Sequence, residues 1–323
     1  MKIVITGCAG FIGSNLTEHF LNKGYQLVGL DNLATGHLKN IQDFMLNKNF
    51  QFVKGDIRDI EMCKKVCDGA DYVLHQAALG SVPRSIKDPL TSNDVNVNGF
   101  LNMLWAAKEA GVKRFVYAAS SSTYGDSESL PKIEEVIGKP LSPYAITKYV
   151  NELYADIFGK IYGIETIGLR YFNVFGRKQD PNGAYAAVIP KFVMQFMKYE
   201  SPVVNGDGNY SRDFTYIDNV IQMNELAMLT QDSRAINTVF NTAFGERTTL
   251  NQMISILQKE LVKIDSKIAD VKVVYGSTRA GDIPHSLASI DKAKKILGYA
   301  PKFSLQKGLE EAIKWYCENL KIN

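Results

Sequence analysis

The first 31 residues carry the pattern that most constrains the fold. Lys2–Thr6 is a short apolar and β-branched run, which is typical of a buried strand. Gly7, Gly10 and Gly13 follow at once, and apolar residues then recur at the spacing of an amphipathic helix. A strand, a glycine turn and a helix in this order predict a βαβ unit of a doubly wound parallel sheet.

The glycine turn also predicts a site for a dinucleotide. Its glycines allow a tight turn, close approach of the backbone to a pyrophosphate, and close packing of the helix on the strand. The helix that begins at Phe11 and Ile12 presents amide donors and the positive end of its dipole to the phosphates. A second strand ends on Asp31, 18 residues beyond Gly13, where an acid suits the adenosine ribose hydroxyls. Because an acid there repels a 2′-phosphate, the sequence predicts NAD rather than NADP.

A tyrosine and a lysine on one helix face form the candidate reaction site. Tyr144 and Lys148 are four residues apart on a helix that Ser142-Pro143 opens. Ser120 lies 24 residues upstream of the tyrosine. A free phenol has a pKa near 10, too high for a base at neutral pH, but a neighbouring ammonium favours the phenolate. A YxxxK pattern alone is a common chance event, whereas beside a dinucleotide turn it predicts proton transfer next to a nicotinamide.

Length and composition exclude several classes of protein. The chain has 323 residues, enough for a large core and two lobes, and 22% of them are charged, as in ordinary soluble enzymes. The net charge of +3 comes from dispersed lysines, so no basic stripe marks a nucleic-acid surface. No apolar run reaches membrane-spanning length and no signal peptide is evident. Four cysteines without a CxxC pair fit a reducing cytosol, and four histidines without ligand spacing predict no metal. We expect a cytoplasmic protein.

Strand and helix patterns alternate as far as about residue 176, after which the chain becomes polar and rich in turns. This alternation predicts an α/β fold, with a doubly wound parallel sheet of the Rossmann type followed by a smaller mixed α/β lobe. Strands are expected at 2–6, 26–31, 51–54, 72–77, 114–119 and 165–171, and the clearest helices at 95–110 and 143–162.

The glycine spacing GxxGxxG, together with YxxxK and an upstream serine, resembles the extended short-chain dehydrogenase/reductase superfamily of NAD-dependent epimerases and dehydratases. The resemblance runs through nearly the whole chain. It implies that 1–173, with a return at about 214–244, form the NAD-binding domain, and that 174–213 and 245–323 form a nucleotide-sugar lobe. It also implies a homodimer built on the helices at 95–110 and 143–162. The implied cofactor contacts beyond the glycine turn and Asp31 are Asn32, Asp56, Ile57, Gln76, Ala77, Ala78, Asn96, Ser120, Tyr144, Lys148 and Phe172.

The segment Ser120-Ser121-Ser122-Thr123-Tyr124-Gly125 separates reaction classes by the same resemblance. Nucleotide-sugar 4,6-dehydratases carry an Asp-Glu pair before the corresponding Tyr-Gly, because eliminating water needs an acid and a base. Nucleotide-uronate decarboxylases keep a Glu there. Hydroxyl residues stand at both places in this chain, which suits a 4-epimerase that moves one hydride and one proton.

The narrowest resemblance is to bacterial UDP-N-acetylhexosamine 4-epimerases, which serve surface-polysaccharide assembly. Ser286 stands where plain UDP-glucose/galactose epimerases carry a bulky Tyr, and a small residue there leaves room for a 2-acetamido group. The implied substrate contacts are Gly80, Ser81, Ser122, Asn173, Ala187, Val188, Val204, Asn205, Arg212, Arg279, Asp282 and Ser286.

Other functions remain open at this stage. The uronate forms of those sugars, or UDP-glucose and UDP-galactose, could be the substrate, because no added cation marks a carboxylate pocket. A dehydrogenase that exchanges soluble NAD(H) is a further possibility. A non-catalytic NAD sensor is disfavoured, since a sensor has no need of Ser120, Tyr144 and Lys148.

Overall fold

A computed structural model describes residues 1–182, 187–278 and 283–319. Its centre is a parallel sheet of seven strands, which confirms the α/β Rossmann-type fold. The strands are β1 (Lys2–Thr6), β2 (Gln26–Asp31), β3 (Phe50–Lys54), β4 (Tyr72–His75), β5 (Arg114–Ser120), β6 (Glu165–Tyr171) and β7 (Thr238–Thr242). Their order in the sheet is β7-β6-β5-β4-β1-β2-β3. From β1 to β3 successive strands are added on one side of β1, and from β4 onward they are added on the other side. This change between β1 and β4 opens a crevice at the carboxyl ends of these two parallel strands.

Helices cover both faces of the sheet, which explains why its strands are almost continuously apolar. Along β1, Ile3 and Ile5 pack into one hydrophobic cluster and Val4 into the other. The helices are α1 (Phe11–Asn22), α2 (Ile60–Cys67), α3 (Val82–Lys87), α4 (Pro89–Asn93), α5 (Gly99–Glu109), α6 (Pro143–Tyr162), α7 (Val188–Met197), α8 (Ile217–Leu229), α9 (Leu250–Val262), α10 (Asp291–Leu297) and α11 (Leu305–Asn319). In the described part of the chain, none of them is both long and apolar enough to cross a membrane.

Three short strand pairs lie outside the main sheet. Val174–Phe175 pairs with Thr215–Tyr216, Ser211–Arg212 with Thr248–Thr249, and Val203–Asn205 with Val274–Gly276. The helices α7, α9 and α11 pack against one another beside these pairs. β7 lies within the stretch 214–244, so this stretch supplies a strand to the main sheet.

Several element boundaries differ from the expectation, and three of these differences concern elements that contribute to the site. β4 ends at His75 rather than at residue 77, because Gln76 and Ala77 turn their amides onto the Thr6 hydroxyl (3.1 Å each). The helix expected at 95–110 begins as a π-helical turn, Asp94–Asn98, and becomes α5 only at Gly99. β5 extends to Ser120, so the serine stands at the carboxyl end of a strand.

Candidate active site

A cavity of about 460 Å³ lies at the carboxyl ends of the central strands. Parallel α/β sheets bind ligands at this edge. The sequence-predicted residues that line it are Gly7, Gly10, Phe11, Ile12, Gly13, Asp31, Asn32, Ile57, Gln76, Ala77, Ala78, Gly80, Ser120, Tyr144, Lys148 and Asn173. The structure therefore brings the glycine turn and the Ser-Tyr-Lys group to the walls of one cavity.

The glycine turn is built so that only glycine fits. Gly7 has φ +68, and a Cβ placed on Gly13 would lie 2.0 Å from the Gly7 carbonyl oxygen. The same oxygen accepts the Gly10 N–H at 3.0 Å, which closes the turn directly before α1. Because the first helical bond is made by Ser14 N–H to Gly10 O, the amides of the first turn of α1 are available for an anion. This arrangement fits the pyrophosphate of a dinucleotide.

Asp31 is fixed at the end of β2 by main-chain donors. Its Oδ2 accepts the Ala9 N–H at 2.9 Å and its Oδ1 accepts the Leu33 N–H at 2.8 Å. The side chain is buried and lines the cavity, so its position suits the adenosine ribose.

Asp56 is held by a neighbour that the sequence reasoning missed. Arg58 donates to both of its oxygens, at 3.0 and 2.8 Å, and Asn32 donates to it at 2.8 Å. The Arg58 hydrogen bonds hold the pKa of Asp56 well below its usual range. Arg58 lines the cavity, whereas Asp56 does not. The sequence signal for Arg58 was its position directly after Asp56-Ile57, two residues that were already expected to contact the cofactor.

The loop after β4 is anchored by buried polar groups. The His75 ring lies 2.9 Å from the Thr6 hydroxyl and stacks on Phe115, and burial lowers the pKa of His75 to about 3. Tyr171, also missed from sequence, donates its hydroxyl to the Gln76 side chain at 3.0 Å and lines the cavity. A neutral His75 in this position is a structural residue.

Asn96 and Phe172 are both implied cofactor contacts, but in the structure their side chains contact other residues of the protein. The Asn96 amide accepts from Leu79 N–H at 2.7 Å and donates to Leu79 O and to the Thr147 hydroxyl. It therefore ties the loop after β4 to the helix that carries Tyr144. Phe172 is fully buried beside Tyr124. Neither lines the cavity.

The reacting group comes from the end of β5 and the first turns of α6. The Ser120 hydroxyl accepts from Ser122 N–H (3.2 Å) and from the Ser122 hydroxyl (2.9 Å). Burial raises the pKa of Tyr144, and a hydrogen bond with Ser120 opposes that effect. The Lys148 ammonium donates to the Ala118 carbonyl at 2.8 Å, and burial lowers the pKa of Lys148 to about 8. In this structure, the group that lowers the pKa of Tyr144 is Ser120.

Many of the residues implied for the nucleotide sugar lie on short strands or at the starts of helices. Asn173 lines it, with φ 36, and donates its side-chain amide to Asp213 O at 3.2 Å. Arg212 donates to Ser211 O and Pro284 O, and Ser286 N–H donates to Ser211 O. Ser81 caps α3, Ala187 precedes α7, and Val204 and Asn205 are in a short strand with Val204 buried.

Several of these residues stand apart from the cavity. The implied substrate residues outside its lining are Ser81, Ser122, Ala187, Val188, Val204, Asn205, Arg212 and Ser286. Arg279 and Asp282 lie outside the described residues. Within the described ranges, no group of three or more His, Cys, Asp or Glu side chains is arranged to hold a metal ion.

The fold and the cavity define a dinucleotide-dependent enzyme of the extended short-chain dehydrogenase/reductase type. Residues 3–243 match the family model described as the NAD dependent epimerase/dehydratase family. The chain belongs to this family, and NAD is its cofactor.

Solved structures of similar sequence cover nearly the whole chain. The UDP-N-acetylglucosamine 4-epimerase of Methanobrevibacter ruminantium, in complex with UDP-N-acetylmuramic acid, is 36% identical with a TM-score of 0.92, covering 99% of each chain. The UDP-glucose 4-epimerase of Thermotoga maritima, with UDP-glucose, is 36% identical with a TM-score of 0.90, covering 99% of this chain and 100% of that one. The UDP-glucuronic acid 4-epimerase of Bacillus cereus, with UDP-glucuronic acid and NAD, is 32% identical with a TM-score of 0.89, covering 98% and 99%.

Proposed function

We propose that the protein is an NAD-dependent UDP-sugar 4-epimerase that works through a transient 4-keto sugar. The observation that carries this proposal is the placement of Ser120, Tyr144 and Lys148 on the wall of the cavity that the glycine turn also lines. Similar chains solved with UDP-sugars are 4-epimerases of three different sugars. The reaction is therefore better supported than the identity of the sugar.

The turn after Ser120 favours epimerisation over elimination. Ser121–Tyr124 form one 3₁₀ turn whose side chains are three hydroxyls and a phenol. The Thr123 hydroxyl of this turn donates a long hydrogen bond, 3.5 Å, to the carboxylate of Glu152. Glu152 is buried in a two-point ion pair with Arg170 (2.9 and 2.7 Å), so its charge is already matched. An elimination needs a free acid and base at the sugar, and this turn presents neither.

In the proposed reaction, Tyr144 accepts the proton of the sugar 4-hydroxyl and returns it after the keto sugar has turned over. Ser120 donates a hydrogen bond to the same oxygen and aligns it with the phenol. NAD, when bound, supplies the hydride acceptor at carbon 4 and returns the hydride to the other face. The Lys148 charge would favour the phenolate form of Tyr144, and the ammonium would hold the nicotinamide ribose.

The Lys148 ammonium donates a hydrogen bond to Ala118 O in this structure. To interact with Tyr144 or with the nicotinamide ribose, it must break this bond or donate to both partners at once. In this structure burial works against the phenolate, because it raises the pKa of Tyr144. The positive charge of an oxidised nicotinamide, once bound, would favour the phenolate and oppose this effect of burial. The base is therefore strongest when the cofactor is oxidised, which matches the direction in which carbon 4 loses its hydride.

We propose UDP-N-acetylglucosamine and UDP-N-acetylgalactosamine as the substrates. Ser286 supports this proposal, because it is a small, half-buried residue whose main chain is bonded to the strand of Arg212. A tyrosine ring at this position would occupy the volume that a 2-acetamido group requires. The similarity to an N-acetylglucosamine 4-epimerase agrees with this assignment, whereas the similarity to a glucuronic acid 4-epimerase supports uronates as the alternative.

The substrate proposal is tested by Ser286→Tyr, with Ser286→Ala as the matched control. The tyrosine adds bulk, while the alanine removes the hydroxyl without adding any. The ratio of kcat/KM for UDP-N-acetylglucosamine to that for UDP-glucose should fall in Ser286→Tyr and stay close to the parent in Ser286→Ala. An unchanged ratio in both variants would mean that residue 286 does not face the sugar.

We also propose that two lobes divide the work and that two chains form a dimer. The NAD lobe would be 1–173 with 214–244, and 174–213 with 245–323 would hold the nucleotide sugar.

The dimer proposal is supported by an apolar stripe on α6, where Ile146, Leu153, Ile157 and Ile161 are 53%, 48%, 46% and 66% exposed. Their spacing of seven, four and four places them on one helix face. Light scattering of Ile157→Lys should show a monomer, whereas Lys160→Gln on the same helix should remain dimeric.

A further inference from the structure

Asp213 is a fully buried carboxylate whose partners are main-chain amides. Its Oδ1 accepts from Phe244 N–H at 3.1 Å and from Gly245 N–H at 3.3 Å. Its Oδ2 accepts from Gly245 N–H at 3.1 Å and from Ala288 N–H at 3.3 Å. One side chain therefore joins three separate segments: its own, the turn after β7, and the strand-like stretch that contains Ala288.

Those segments carry the residues that the proposed function assigns to the nucleotide sugar. Asp213 directly follows Arg212, and its carbonyl oxygen accepts the side-chain amide of Asn173 at 3.2 Å. Ser286 precedes Ala288 by two residues, and its N–H donates to Ser211 O at 3.0 Å. A change at the Asp213 carboxylate would thus reach all three candidate substrate contacts through the main chain.

An uncharged residue could fill this volume at a lower cost in desolvation. A buried carboxylate without a matching cation is expensive. Burial raises the pKa of Asp213 to about 7, with Glu246 acting in the same direction, while the amides of Ala288, Phe244 and Gly245 lower it. What the carboxylate provides in return is four acceptor contacts in one place. A neutral amide or hydroxyl cannot offer that number to donors on two separate segments.

We propose that Asp213 is a positioning residue for the UDP moiety: its carboxylate sets the spacing between the segments of Arg212 and Ser286, and its main-chain carbonyl oxygen holds the Asn173 side chain. The inference rests on the proposed nucleotide-sugar site and deepens it. Asp213 touches neither substrate nor cofactor in this account. It acts through the backbone of the residues that do.

The proposal predicts a change in binding rather than in chemistry. Contacts to the diphosphate are remote from carbon 4 and act equally on the bound substrate and the transition state, so losing them raises KM and leaves kcat nearly unchanged. Asp213→Asn keeps the shape but replaces one acceptor oxygen with an NH₂ that faces backbone N–H donors. The three segments that Asp213 joins should then move relative to one another. Displacing the groups that contact the substrate by about 1 Å can weaken their interaction with it by up to about 100-fold.

The experiment measures UDP binding by calorimetry and the kinetics of UDP-sugar turnover on the NAD-loaded protein. Asp213→Asn should raise the Kd for UDP and the KM for the UDP-sugar by about 10- to 100-fold, with kcat within about twofold and bound NAD unchanged. Asp232→Asn is the matched control, because that partly exposed carboxylate also accepts a main-chain amide (Arg234 N–H, 2.9 Å). It should bind UDP as the parent does.

Each outcome bears on a different claim. Equal UDP binding by Asp213→Asn and the parent would overturn this inference alone. An equal fall in kcat and NAD content, with KM unchanged, would also overturn it, since that pattern belongs to general loss of structure. A parent protein that binds no UDP would refute the proposed function, and the inference with it.

A second measurement covers the case in which Asp213→Asn does not fold. Hydrogen exchange on the unmodified protein, with and without UDP, should show added protection of the Phe244, Gly245 and Ala288 amides along with that of residues 211–213. UDP protection confined to 211–213, with the three amides unaffected, would contradict the proposed coupling.

Discussion

Gly13→Ala perturbs the structure at a position where its effect can be worked out from the geometry. The new Cβ would lie 2.0 Å from the Gly7 carbonyl oxygen and 2.7 Å from its carbonyl carbon. Both are main-chain atoms, and the oxygen also accepts the Gly10 N–H that closes the turn. The turn must therefore open by more than about 1 Å for ordinary contact distances to return.

Two opposing terms decide the sign of the result. Alanine inside a helix is favoured over glycine by about 1 kcal/mol, which would stabilise the protein if the site were open. Overpacking against atoms that can move costs about 1–3 kcal/mol, and here the obstructing atoms are backbone. We expect a net loss of at least about 2 kcal/mol in the free energy of unfolding. Bound NAD should be lost as well, because the turn that opens is the proposed pyrophosphate site.

The assay combines denaturant unfolding with the NAD content of the purified protein. Gly276→Ala is the control, because its Cβ would meet Val203 Cγ1 at 3.6 Å, an ordinary contact. It should retain both stability and NAD. If Gly13→Ala were as stable as the parent and carried the same NAD, the close packing of α1 on the turn would be wrong.

Three further predictions concern the proton transfer, the cofactor and the pH dependence of stability. Tyr144→Phe should lower turnover by about 10²–10⁴-fold with NAD content unchanged, and near-normal activity would end its assignment as the base. Asp31→Ala should weaken NAD binding and narrow the preference over NADP; equal affinity of the parent for both cofactors would refute that role. Burial lowers the pKa of His75 to about 3, below that of the unfolded chain, so its contribution to stability is present above about pH 6.5 and is lost as the pH falls from there towards 3. His75→Gln should therefore lose less stability than the parent between pH 7 and 5, and parallel stability curves would show that His75 is not buried in its neutral form.

The main sheet was predictable from sequence where the signal is local. β1 and β2 agree with the expected strands to the residue, because each is an apolar run bounded by glycine or a polar turn. The π-helical turn before α5 had no local signal in the sequence. Asn96, which lies in this turn, is hydrogen-bonded to Leu79 and Thr147, which are distant in the chain.

The candidate site shows the same division between local and distant information. Motif spacing placed Gly13, Asp31 and Tyr144 around one cavity, because each stands at a fixed point of a βαβ unit. The role of Asp213 had no local signal. Its partners at 244–245 and 288 come together only when β7 joins the sheet and the last segment of the chain folds back.

The most direct test of the proposed function is product analysis with UDP-N-acetylglucosamine and the purified protein, with no cofactor added. The account predicts UDP-N-acetylgalactosamine as the product, formed by NAD that stays bound through each turnover. UDP-glucose and UDP-glucuronic acid should be converted with lower kcat/KM under the same conditions. Conversion of UDP-glucuronic acid in preference to the N-acetylated sugar would contradict the substrate assignment. A strict requirement for added NAD(H), with a net oxidised or reduced product, would contradict epimerisation itself.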